Sequence, residues 1–311
     1  MSGDAGAVAP LLTQTLDRCL GCGGTRLLAV PLVYEFRGRF PAARCARCGL
    51  CFLRVQPAPE ALAELYSAAY FESDFRCGRS DVSYANEPAF RGENAALVEA
   101  FAACLPSGAK LRRLLEVGCA GGWLLKLARE RGWDVRGVEV SADAVTRARA
   151  LGLDVHHGGL SGAGLPAASF EVVYMGDVLE HVPDCRATLA EVARVLAPGG
   201  CLYLRGPITT HSLARRLALA VYGALGRSIV LREPPYHLWE FTPRTLTELA
   251  RGVGLDIVST RQTKIAPGRG HGRKTPLQTA AMFAIDAVNQ PLTSVFNVWG
   301  DRMTLIARRP A

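Results

Sequence analysis

The feature that most constrains this chain is a short strand-like segment, Leu111 to Val117, with Leu114, Leu115 and Val117 as its apolar residues, leading into Glu116-Val-Gly118-Cys-Ala120-Gly121-Gly122 and then a helical repeat from Trp123 to Arg131 that closes at Gly132. The pattern predicts strand, glycine turn, helix. A second strand follows at Val135 to Val140 with Glu139 near its end, and Ser141 supplies an N-cap for a helix through Ala150. The succession strand, helix, strand, helix reads as a βαβ unit, whose two strands run parallel. Glu139 stands 17 residues beyond Gly122. In βαβ units that hold a nucleotide, an acidic residue near that distance meets the ribose hydroxyls.

The turn itself narrows the ligand. In a G-x-G-x-x-G frame starting at Gly118, position 120 is alanine and position 123 is tryptophan. The dinucleotide fingerprint therefore fails twice, which disfavours a pyrophosphate-bridged cofactor. Glu116 would repel a pyrophosphate but suits a ligand whose near end is a cationic ammonium. Alanine in place of the middle glycine at 120 is a mild change provided its φ is negative.

Further segments occur in a recognisable order: Leu165-Pro166, Ser169-Phe170-Glu171-Val172-Val173, Gly176-Asp177-Val178-Leu179-Glu180-His181-Val182 and Arg194-Val-Leu-Ala-Pro198-Gly199-Gly200. Together with the glycine turn they resemble the class I S-adenosylmethionine-dependent methyltransferases, most strongly over Leu111 to Gly200. The segment Tyr236-His-Leu-Trp-Glu-Phe241-Thr-Pro243-Arg-Thr-Leu246 is similar to one common in small-molecule members, and Gly300 to Arg308 resembles the family's closing strand. The resemblance implies an α/β Rossmann-like fold with a seven-stranded, mostly parallel sheet, over residues 110–311, interrupted by an insertion at about 207–235. It implies that Glu116, Gly118, Ala120 and Gly122 hold the methionine part of S-adenosylmethionine, Glu139 the ribose, and Asp177 with Val178 the cofactor beside the fourth strand. Where relatives place an acidic residue for the adenine amino group, this chain reads His157-Gly158-Gly159-Leu160, so backbone groups and apolar packing are expected to serve there.

Five of the ten cysteines fall within Cys19 to Cys51, in two copies of C-x-x-C-G, Cys19 to Gly23 and Cys45 to Gly49, either side of a predicted hairpin that turns at Gly38. Two thiolates two residues apart grip one corner of a tetrahedron, and the glycine that follows permits a turn aiming N–H groups at sulfur. Cys19, Cys22, Cys45 and Cys48 predict a zinc ribbon over residues 1–56 with a structural zinc, since four thiolates leave no open coordination position. A module this small needs such a staple. Cys51, followed by Phe52 and Leu53, reads as a strand residue outside the ligand set. Residues 57–109 read as a helical connector, and the aromatic residues Tyr66, Tyr70, Phe71, Phe75 and Tyr84 as packing groups or a cleft lid.

With 49% hydrophobic and 21% charged residues the 311-residue chain has a globular composition. No stretch offers 18 consecutive apolar residues, Leu213 to Leu231 being broken by Arg215, Arg216 and Arg227, and Met1 to Leu20 lacks a secretory pattern. The expectation is a cytoplasmic protein with no membrane partner. The net charge of +8 permits contact with the phosphates of a nucleic acid or of an anionic small-molecule acceptor. The basic run Arg261, Lys264, Arg269, His271, Arg273, Lys274 reads first as a solvated loop and second as a surface that meets such an acceptor, for instance a nucleotide sugar or carrier phosphopantetheine.

Methyl transfer demands alignment above all, with a general base when the acceptor is a hydroxyl. His181 is the candidate base, the alternative being that it orients Glu180 or caps the next helix; His211 and His237 are weaker candidates. The leading expectation is methylation of a sugar or specialised metabolite. RNA methylation is disfavoured because Gly176-Asp-Val-Leu stands where base-amino methylation would use Asn/Asp-Pro-Pro-Tyr, and a non-catalytic scaffold by the intact Glu116, Gly118, Gly122 and Glu139 set.

Overall fold

The computed structural model describes residues 9–66, 87–105, 111–264 and 276–311. Its strands, in chain order, are β1 (Thr13–Thr15), β2 (Leu27–Glu35), β3 (Arg39–Cys45), β4 (Cys51–Leu53), β5 (Val55–Pro57), β6 (Arg113–Val117), β7 (Asp134–Glu139), β8 (Val155–His157), β9 (Phe170–Gly176), β10 (Leu196–Pro207), β11 (Ile229–Leu231), β12 (Trp239–Glu240), β13 (Asp256–Thr263) and β14 (Arg302–Arg308). The helices are α1 (Pro59–Leu65), α2 (Glu87–Cys104), α3 (Trp123–Glu130), α4 (Ala142–Ala150), α5 (Cys185–Val195), α6 (Leu213–Ala224), α7 (Pro243–Arg251) and α8 (Pro276–Phe296).

Seven strands form the main sheet in the order β13-β14-β10-β9-β6-β7-β8. Neighbours are parallel except at β14, which runs antiparallel to both β10 and β13. The sheet is α/β, mostly parallel and seven-stranded. From β6 the chain moves outward to β7 and β8 on one side, then returns to β9 and β10 on the other, so the carboxyl ends of β6 and β9 flank a topological switch point, where open α/β sheets place their ligand crevice.

Helix starts follow local chemistry. Ser141 and Asp184 cap α4 and α5 by accepting the N–H of Ala144 and Ala187, and Thr242 with Thr245 makes a reciprocal capping box on α7. The α2 helix seals one face through Phe101, whose ring lies 5.3 Å from Tyr174, 5.4 Å from Tyr203 and 6.4 Å from Trp133.

The cysteine hairpin does not stand apart. A second, five-stranded sheet, β11-β2-β3-β4-β12, takes its two outer strands from residues 229–231 and 239–240. Leu32, Phe40, Phe52 and Leu53 of that sheet belong to the same buried cluster as Leu115, Val173, Leu202 and Trp239. The predicted 1–56 module and the segment after β10 are therefore woven into one body. Of the aromatic cluster proposed as a lid, Tyr66 is described, whereas Tyr70, Phe71, Phe75 and Tyr84 lie outside the described residues, as do Arg269, His271, Arg273 and Lys274 of the basic run.

Candidate functional site

The glycine turn after β6 folds back over β7. Gly118 N–H and Cys119 N–H both donate to the Val138 carbonyl, at 2.7 and 3.2 Å. Gly118 has a φ of +74°, and a Cβ there would collide with Val178 Cγ2, so only glycine lets the turn meet the loop after β9. Gly122 has a φ of +80°, and a Cβ on it would fall 2.5 Å from Leu153 Cδ1. Ala120 also lies in the left-handed region, at φ +46°. The negative φ that would make alanine harmless there is not adopted, because the Ala120 N–H must point at Glu139 Oε2, 2.8 Å away. Glu139 Oε1 accepts from the Ser141 N–H at 2.9 Å, so this buried carboxylate ties the turn to the start of α4.

Glu116 lies at the base of the turn, buried, and its Oε2 has no hydrogen-bond partner. Burial, with the nearby charge of Glu139, pushes its carboxyl well above the usual range. An unsatisfied buried carboxyl is costly unless a donor or cation reaches it, and the ammonium of S-adenosylmethionine is such a group. The residues present fit that cofactor.

After β9, Asp177 turns the chain with a φ of +55°, and its carboxylate takes both oxygens to Arg302 Nη2 of β14, each at 2.7 Å. The Asp177 side chain is thus held against the sheet, and Val178 is the residue of the pair that packs on Gly118. Glu180 is buried, and His181 Nε2 lies 3.6 Å from Glu180 Oε1. His181 Nδ1 is 2.8 Å from the Tyr236 carbonyl, which can only accept, so Nδ1 carries the proton. Aromatic rings gather round it: His237 at 5.0 Å and Tyr66 at 6.0 Å, with Tyr236 5.8 Å from Tyr66. His211 is elsewhere, in a short 3₁₀ turn after β10, its pKa lowered by burial and by Arg216. On the opposite flank His157 Nε2 is 3.2 Å from the Val140 carbonyl and Gly158 N–H donates to the Glu139 carbonyl, which fixes the backbone of the region expected to face adenine.

The sulfurs of Cys19, Cys22, Cys45 and Cys48 lie within 4.8 Å of one another, with Cys19 to Cys48 and Cys22 to Cys45 both at 3.6 Å. A tetrahedron of thiolates at the zinc–sulfur distance of about 2.3 Å has edges near 3.8 Å, so the spacing suits that ion. Gly23 and Gly49 adopt φ of +74° and +82° and close each knuckle by bonding back to Cys19 and Cys45 carbonyls. Burial of Cys45 is outweighed by N–H groups of Cys48 and Arg47, bringing its thiol to about 7, while burial carries Cys19 to about 11. Cys51 is buried in β4 and outside this group.

Reading the sequence alone missed Arg302 as the holder of Asp177, and Tyr236 as the residue that fixes His181. A backbone carbonyl, the partner of His181 at Tyr236, leaves no trace in residue identity, and Arg302 stands 125 residues from Asp177.

Fold and site together define a Rossmann-like, S-adenosylmethionine-dependent methyltransferase domain. A family model described as a methyltransferase domain matches residues 89–260, more than half of the chain, and the protein belongs to that family. It is similar to a ubiquinone biosynthesis O-methyltransferase of Methylococcus capsulatus, 31% identical over 157 residues that cover 47% of this chain and 64% of that protein. The same-named enzyme of Xanthomonas axonopodis pv. citri is 32% identical over 176 residues, 54% of this chain and 71% of the relative. The chain thus spans less than two thirds of the first of these. Among solved structures, a SAM-dependent methyltransferase from Archaeoglobus fulgidus matches with a TM-score of 0.47 at 18% identity, covering 72% of this chain and 97% of that one. Among the described residues no helix is long and apolar enough to cross a membrane.

Proposed function

We propose that the protein transfers a methyl group from S-adenosylmethionine to a hydroxyl of a small molecule, a sugar or specialised metabolite, with His181 as general base. The observation that carries this is the fixed tautomer of His181: with Nδ1–H committed to the Tyr236 carbonyl, the Nε2 lone pair is the ring's proton acceptor. Both curated relatives carry the name O-methyltransferase, which supports an oxygen acceptor.

In this reading Glu116, Gly118, Ala120 and Gly122 bind the methionine part, Glu139 the ribose, and Asp177 and Val178 border the cofactor. When bound, S-adenosylmethionine supplies an activated methyl on a sulfonium. The chain's own part is then to orient the acceptor and take its proton. His181 Nε2 receives that proton, and Glu180, 3.6 Å away, stabilises the resulting imidazolium. The Tyr66, Tyr236 and His237 rings narrow the acceptor side and exclude water. Cys19, Cys22, Cys45 and Cys48 hold one structural zinc, and the 1–56 ribbon, 57–109 connector and 110–311 catalytic domain are taken as segments of one body, the ribbon's sheet borrowing its outer strands from residues 229–231 and 239–240.

The test is a panel of hydroxyl acceptors assayed with wild-type protein and His181→Gln, alongside calorimetric titration of S-adenosylhomocysteine. We expect turnover to fall by about 10²- to 10⁴-fold while the affinity for S-adenosylhomocysteine stays within twofold. Undiminished turnover in His181→Gln overturns the base assignment.

A further inference from the structure

The loop that carries His181 is built against the cysteine module. Three consecutive loop residues are bonded to one four-residue strip, 236–239. Glu180 O accepts the N–H groups of Leu238 and Trp239 at 2.8 and 3.2 Å, His181 Nδ1 donates to Tyr236 O, and Val182 O accepts Trp239 Nε1–H at 2.6 Å. The other edge of that strip pairs with β4, Trp239 opposite Phe52 and Glu240 opposite Cys51, and Leu53 N–H donates to Leu238 O at 3.0 Å. The Trp239 ring is fully buried, 5.6 Å from that of Phe52. A second link runs from the helix following the loop: Arg186 Nη1 donates to Gly21 O, between Cys19 and Cys22, at 2.9 Å, and its Nη2 to Gly252 O at 3.0 Å.

We propose that Trp239 and Arg186 are positioning residues through which the four-cysteine module sets the position of His181. The strip has hydrogen bonds on both edges, so a displacement of β4 has to be passed to residues 180–182 or break bonds that burial makes expensive. The cofactor turn is anchored differently: Gly118, Ala120 and Glu139 are hydrogen-bonded to β7 and α4, and the loop meets the turn at its other end, where Val178 packs on Gly118. Disturbing the joint at residues 180–182 therefore falls first on the acceptor side. The inference rests on His181 serving the acceptor, and its test needs no acceptor.

The experiment uses the full chain labelled with ¹⁵N-histidine, which places six imidazoles in the spectrum; the hydrogen-bonded His181 Nδ1–H signal is assigned by its loss in His181→Gln. Trp239→Phe keeps a ring against Phe52 while removing the donor to Val182 together with part of the buried indole, and Arg186→Met, which leaves that ring pair in place, separates the lost bond from the lost volume. The expected result is a shifted or exchange-broadened His181 signal, S-adenosylhomocysteine affinity within twofold of wild type, and unchanged metal content. A His181 signal at its wild-type position in folded Trp239→Phe overturns the proposal, as does equal damage to His181 and to S-adenosylhomocysteine binding. Should Trp239→Phe not fold, Arg186→Met probes the joint from its exposed side, with the same expected displacement and the same overturning result. A displaced signal combined with full turnover in His181→Gln would keep the joint and remove the base assignment.

Discussion

At residue scale, Glu116 and Ala120 carry two different costs around one turn. The Glu116 carboxyl is raised by burial and by Glu139, so the folded chain holds a proton that the unfolded chain has already released above the ordinary value of 4.5. Stability of the cofactor-free protein must therefore fall as pH rises from there through the raised folded value, the reverse of the usual carboxylate. Glu116→Gln should abolish that slope and raise cofactor-free stability at pH 8 by about 1–3 kcal/mol, read as a higher melting temperature. The same variant should bind S-adenosylmethionine at least tenfold more weakly, about 1.4 kcal/mol, because the neutral amide no longer answers an ammonium. A melting temperature that follows wild type across pH would clear Glu116 of the stability effect, and an unchanged affinity for S-adenosylmethionine would clear it of the binding effect. Ala120 pays a conformational cost at φ +46°. Ala120→Gly should add about 0.5–1 kcal/mol in denaturant unfolding and leave cofactor affinity within twofold, since the backbone N–H to Glu139 is retained.

At the scale of elements, the zinc proposed for Cys19, Cys22, Cys45 and Cys48 is the device on which β2, β3 and β4 would depend. Removing one thiolate opens the tetrahedron and forfeits part of the about 10–16 kcal/mol that such sites bring to folding. Cys45→Ala should lose the metal and render residues 9–57 sensitive to protease while β6 to β10 stay protected; metal analysis with limited proteolysis decides it. The knuckles and the β6-α3-β7 unit were legible in the sequence because each is written within about thirty residues, as a spacing and a glycine turn. The outer strands of the five-stranded sheet were not. Ile229–Leu231 and Trp239–Glu240 are too short for a periodic signal, and each pairs with a strand nearly two hundred residues earlier. Nor could Asp177 have been seen to face Arg302, since the closing strand is antiparallel and its register is fixed only by the folded sheet.

Across the whole molecule, the C-terminal helix α8 is fastened by a charge cluster. Lys264 Nζ reaches Asp301 Oδ2 at 2.7 Å and Asp286 Oδ1 at 3.1 Å, all three side chains being largely buried. The basic run foreseen as a solvated loop thus contributes at least one buried cation. Lys264→Met would leave two carboxylates facing each other without their cation, and should cost about 3 kcal/mol or more in urea unfolding. A loss under 1 kcal/mol would mean that water replaces the lysine.

The interleaving of the two sheets also governs timing. A chain emerging in order from the ribosome presents Cys19 to Leu53 first, yet the strands that flank β2 and β4 are made only after residue 228. At about 5–20 residues per second the wait is roughly 10–40 s. Throughout that interval the nascent strands β2 to β4 have two open edges, and the zinc proposed for the four cysteines would be the means by which they keep their shape and resist pairing with a neighbouring chain.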